Sequence, residues 1–195
     1  MAWGKAGSTT LTSAGDDINV TSLADNRYYM VLGNASNGVD NPQARFRLNS
    51  DTGSNYTTRY SENGGSDATQ TSQTSIYLAD AQSVGDHCFT VGYIINIAGK
   101  EKLIIAHTVN DRGGLGASND PYRWETVAKH VQTSNPINAI NYFNGGAGSW
   151  AIGSECVVLG SDFTIAPPTV QDGAVFEETD TNKHYLLDDG TWTEI

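Results

Sequence analysis

The sequence predicts an all-β protein: an antiparallel β-sandwich, jelly-roll-like, carrying a small C-terminal β-hairpin. Three observations predict it. Gly, Ser, Thr and Asn make up 73 of the 195 residues, and these residues favour turns and strands over helices. Leu occurs ten times and Lys five times, too few to furnish long amphipathic helices. Apolar or alternating runs recur roughly every ten to fifteen residues with turn chemistry between them, the spacing of a sandwich or barrel.

Taken in order, Arg27 to Leu32 reads as a strand, closed by Gly33-Asn34 and an Asn/Gly loop over 33–42. Gln43 to Asn49 alternates, with Ala44, Phe46 and Leu48 on one face and Arg45 and Arg47 on the other. That is period two, a half-buried strand. Tyr56 to Tyr60 and Ser75 to Leu78 flank a polar loop over 61–74. His87 to Ile97 and Lys102 to Val109 are rich in Ile, Val and aromatics, as central strands should be, and Ala98-Gly99-Lys100-Glu101 joins them as a hairpin turn. After a loop over 110–121, Tyr122 to Thr133 fits both helical and strand spacing; its Thr and Val ends and its neighbours favour a strand. Ile137 to Phe143, Trp150 to Ile152 and Cys156 to Gly160 complete a body of residues 1–166. About eight to ten antiparallel strands close into two layers. No internal repeat points to a propeller or solenoid.

Residues 167–195 stand apart. Consecutive Pro167 and Pro168 favour an extended connection. Beyond them Ala174 to Glu178 and His184 to Leu187 read as a hairpin about the polar turn 179–182, closed by Asp188-Asp189-Gly190-Thr191-Trp192. A hairpin of that size is marginal in water and needs a partner surface. Phe176, Tyr185 and Trp192 are its candidate docking anchor. Val175 and Glu177 point away from Phe176, which predicts an aromatic side and an acidic side.

The pattern G-x-x-F-x-x-T-D-T-x-x-x-Y followed by D-G-x-W is formed by Gly173, Phe176, Thr179, Asp180, Thr181, Tyr185, Asp189, Gly190 and Trp192. It resembles the short terminal module of many tailed-bacteriophage virion proteins, including tail-fibre and head-decoration proteins. Arg123 to Ser134 and Gly153 to Gly160 also resemble small β-rich phage structural proteins. The resemblance implies a virion component on the particle exterior, made in the host cytoplasm: a decoration, fibre or knob subunit. Other virion proteins are its expected partners. Closed symmetry is usual for such β-rich subunits, so a homo-oligomer is expected, with a trimer favoured.

Net charge is −11, and from Asp172 onward seven acids face one base, Lys183. Such a chain should repel nucleic acid and anionic membrane surfaces. Met1 to Lys5 lacks the apolar stretch of a secretory signal, and no window approaches ~18 apolar residues, so neither export nor membrane insertion is expected. Cys88 and Cys156 each sit in an apolar run and are expected to be buried, reduced thiols.

Signals of chemistry are sparse. The four histidines, His87, His107, His130 and His184, show no HExxH and no paired Cys/His spacing. His87 and His107 are placed on the central hairpin as core histidines, each with one hydrogen bond. Gly148-Ser149-Trp150 and Gly153-Ser154-Glu155 lack the setting of a nucleophile elbow. The chain is therefore read as non-enzymatic, with no metal and no cofactor. The alternative is a carbohydrate-binding module or glycan-recognising tail tip for host recognition. Tyr56, Tyr60, Tyr122, Trp124, Tyr142 and Trp150 lie near the predicted loops and are its candidate ligand-facing aromatics, although core packing is the reading for most of them.

Overall fold

The computed structural model describes residues 3–39, 41–79, 87–111, 116–161, 173–178, 183–189 and 191–195. Among them every regular element is a β-strand and every pairing is antiparallel. The chain divides into two compact units, Met1–Asp162 and Phe163–Ile195.

The first unit holds β1 (Gly4–Thr10), β2 (Asp17–Val20), β3 (Tyr28–Val39), β4 (Ala44–Leu48), β5 (Tyr56–Glu62), β6 (Ala68–Gln73) and β7 (Ile76–Ala79). It continues with β8 (His87–Ile95), β9 (Lys102–Asn110), β10 (Tyr122–His130), β11 (Ile140–Asn144), β12 (Ser149–Trp150) and β13 (Glu155–Ser161). A large sheet runs β1-β13-β3-β8-β9-β10-β5-β6, with β12 also on β3; a small sheet runs β2-β11-β4-β7. The two form a β-sandwich.

Large rings fill the space between the layers, and glycines admit them. Tyr142 lies 3.0 Å from where a Cβ would stand on Gly33, and Phe46 lies 2.9 Å from that point on Gly92. A Cβ at either position would crowd the ring that faces it and force that ring to shift. Phe46 meets Tyr142 edge-on at 5.5 Å, and Tyr142 stacks on Trp150 at 5.9 Å. Some polar inward groups pair with one another: Thr90 and Thr108 bond each other at 2.9 Å, and Thr126 donates to the Tyr77 carbonyl at 3.3 Å. Cys88 and Cys156 are free and buried in this layer, and burial pushes their thiols up to about 11 and about 12.

Several loops expected from the sequence are strands. The Asn/Gly stretch over 33–42 continues β3 as far as Val39, and the 61–74 segment contains the end of β5 and all of β6. Strands β1 and β2 were not foreseen. β1 and β6 are the two edges of the large sheet, where polar Ser, Thr and Gln keep an edge soluble and erase the alternation that announces a strand. Tyr122–His130 is a strand throughout.

Candidate functional site

The second unit is a three-stranded meander of β14 (Val175–Glu178), β15 (Lys183–Asp188) and β16 (Thr191–Glu194). The expected hairpin pairs Phe176 with Tyr185. The segment that closes it in sequence forms a third strand, pairing Leu187 with Trp192. Asp189 takes φ 46° between β15 and β16, the left-handed backbone that an Asp-Gly hairpin turn requires. The turn 179–182 and the Pro167-Pro168 connection lie outside the described residues.

This register gathers the three candidate anchors. The Phe176 ring lies 6.2 Å from Tyr185 and 6.1 Å from Trp192. Phe176 and Trp192 remain 53% and 43% exposed, whereas Leu187 is buried. The expected division into an aromatic and an acidic side is only partial. Glu194 pairs with Lys183 at 2.9 Å beside the rings, while Glu177 faces His184 at 4.0 Å on the other side. Because Glu194 is directly opposite Tyr185 across the ladder, strand register carries it to the ring side.

The candidate sugar-facing aromatics are placed differently. Tyr56, Trp124, Tyr142 and Trp150 are at most 1% exposed. Tyr60 packs on Tyr77 at 4.5 Å and Tyr122 on Trp124 at 6.1 Å, both partly buried against the core. A ring without accessible surface cannot stack on a sugar, so Tyr56, Trp124 and Trp150 are corrected to core residues. The correction follows from strand alternation: Tyr56, Trp124 and Trp150 each sit at a position of β5, β10 or β12 that turns inward.

His130 is the buried histidine, not His87 or His107, which are exposed. Its ring stacks on Tyr56 at 4.5 Å, and its Nε2 lies 2.8 Å from Asp51 Oδ2. Burial acts to raise the Asp51 pKa. Hydrogen bonds from His130, the Asn55 amide and the Gly53 N–H outweigh that effect and hold the carboxyl below its usual value. The Tyr56 hydroxyl donates to the Leu48 carbonyl at 3.1 Å and accepts from the Leu48 amide at 3.0 Å. The His130–Asp51 contact ties the loop between β4 and β5 to β10, and the Tyr56–Leu48 bonds close the ends of that loop on each other. Among the described residues no group of three or more His, Cys, Asp and Glu could hold a metal ion, and no helix is long and apolar enough to cross a membrane.

Sequence reasoning missed a second surface. Strand β9 alternates without a break, and its buried side carries Lys102, Ile104, Ala106, Thr108 and Asn110. Its exposed side carries Leu103, Ile105, His107 and Val109. Strand β8 likewise buries Cys88, Thr90, Gly92 and Ile94 and turns Phe89 and Tyr93 outward. The larger apolar side chains therefore face away from the core. Periodicity alone gives no warning, because both faces of these strands are apolar enough to read as buried.

No family model matches the chain, and no curated protein matches it. Among solved structures it is compared with the CBM2 module of the evolved Dit of Lactobacillus casei BL23 phage J-1. That comparison covers 84% of this chain and 82% of the other, at 7% identity and a TM-score of 0.15. A likeness at that level carries no argument about fold or function.

Proposed function

We propose that this chain is a non-enzymatic structural protein on the exterior of a tailed-phage particle, attached through its C-terminal unit. One observation supports the reading most: Phe176, Tyr185 and Trp192 form one cluster on a small sheet and leave two large rings exposed. A three-stranded sheet with so little buried apolar surface gains stability by placing that cluster on a neighbour. Burying an aromatic ring contributes about 2–3 kcal/mol, enough for three rings to hold the unit in place. The motif resemblance, which runs through the same three residues, supports another virion protein as the neighbour.

Binding of the full-length protein to particles lacking it tests this. Trp192→Ala should weaken attachment by roughly thirty-fold, the equivalent of about 2 kcal/mol, and truncation after Ala166 should abolish it while the sandwich stays folded. Attachment equal to wild type in both variants contradicts the reading. Glycan arrays with the intact protein address the carbohydrate-binding alternative, which has lost most of its candidate rings to the core.

A further inference from the structure

We propose that the outer face of β8, β9 and β10 is the contact between two copies of this chain, packed face to face about a two-fold axis that crosses the strands at Tyr93, Ile105 and Val127. The surface lies wholly within the first unit.

Strand register lays this face out as a grid. Phe89, Val109 and Arg123 form one row across the three strands; Val91, His107 and Glu125 the next; then Tyr93, Ile105 and Val127; then Ile95, Leu103 and Lys129. Six of these side chains, Phe89, Tyr93, Leu103, Ile105, Val109 and Val127, are 39–56% exposed. At roughly 150–250 Å² for each aromatic and somewhat less for each aliphatic, they present on the order of 500 Å² of apolar surface. The half-buried Val91 and Ile95, and the Tyr28, Met30 and Leu32 positions on β3, extend it. A standard interface needs about 800 Å² per partner, and this face approaches that from one sheet.

Charge points to a second copy as the occupant. The chain carries −11, yet three ion pairs border this face, Arg59 with Asp67 at 4.0 Å, Arg123 with Glu125 at 3.8 Å and Lys129 with Glu101 at 2.9 Å, and Asp111 at the end of the β8-β9 pair adds one acid. Two copies therefore approach here against less repulsion than a contact elsewhere on so acidic a protein would meet. The two-fold also makes the face complementary to itself. Rotation about the Tyr93-Ile105-Val127 row sets the row on one side of it against the row on the other. Glu125 then meets Lys129 of the second copy, His107 meets Leu103, and Val91 meets Ile95. Depressions of about 300 and 460 Å³, which share Val91 and His107 in their walls, receive the opposing side chains.

The test is the mass of the full-length protein in solution at roughly 50 µM, a concentration that populates micromolar pairs. Wild type should weigh two chains. Ile105→Lys, at an exposed position, should keep the circular dichroism and melting of the fold and weaken pairing at least ~100-fold by burying unpaired charge. Glu125→Lys should weaken pairing by setting lysines against each other, and Glu125→Lys with Lys129→Glu should restore it. Trp192→Ala should leave the pair intact, so loss of particle docking and loss of pairing are separable. A monomeric wild type, a trimeric mass, an Ile105→Lys protein that stays paired, or a double variant as weak as Glu125→Lys overturns the proposal.

Discussion

The two outer faces of the sandwich are finished differently. On the small sheet, Arg47 lies over the Phe143 ring at 4.1 Å, and Arg45 lies over Tyr77 at 5.5 Å. Both rings are at most 7% exposed. Asn141 donates to Asp17 at 3.1 Å and to Asn19 at 2.7 Å, so the polar groups of that face satisfy one another. On the large sheet, among the described residues, no such cover lies over Phe89, Tyr93, Leu103, Ile105, Val109 or Val127, which stay open although β8 and β9 bury Thr and Asn beneath them. Long cationic side chains can mask rings that face water. Where the same chain leaves aliphatic and aromatic groups bare, simple abundance of β-formers is a poor explanation. A face awaiting a partner is a better one.

The largest effect separates the inside of the sandwich from its open face. Tyr142→Ala removes the ring that fills the space over Gly33 and should cost about 3–5 kcal/mol in denaturant unfolding. Val127→Ala, under conditions where the protein is monomeric, should change stability by less than about 0.5 kcal/mol. Comparable losses at both sites would mean that the open face contributes to the fold of a single copy, and the contrast would fail.

Acid should act at a different place. Asp51 has a folded pKa below its ordinary value, so it contributes stability that is fully present above about pH 4, the unfolded value. That contribution fades as pH falls toward the lowered folded value and is gone below it. Thermal melts from pH 6 downward should show a decline that Asp51→Asn flattens. An unchanged acid slope in that variant would remove Asp51 from the account.

The smallest of these effects would make the small sheet resemble the large one. Arg47→Ala uncovers Phe143 and should cost about 1 kcal/mol, with new binding of a hydrophobic dye. No change in dye binding would show that Arg47 is not what keeps that face dry.

Much of the layering was legible from residues alone. The alternation of Ala44, Phe46 and Leu48 against Arg45 and Arg47 gives β4 and its buried side correctly, and the paired runs of β8 and β9 are read as adjacent central strands. The edges were not legible, because Ser, Thr and Gln strands carry no period. Phe176, Tyr185 and Trp192 could be grouped because their strands follow one another in sequence through two short turns, so the register is local. The open face could not. Its side chains come from three strands whose outward direction depends on which side the small sheet covers, and only long-range packing decides that.

Thiol cross-linking tests the central contrast most directly. Ile105→Cys places a thiol on the proposed axis, Asn19→Cys places one on the polar face, and the native Cys88 and Cys156 are buried. Facing sheets stand about 10 Å apart, beyond the reach of a disulfide. With a bis-maleimide cross-linker of about that span, Ile105→Cys in the full-length protein should give a covalent two-chain species that Ile105→Ser does not, while Asn19→Cys stays single-chain. Equal cross-linking at both positions, or none at Ile105→Cys, would contradict the account.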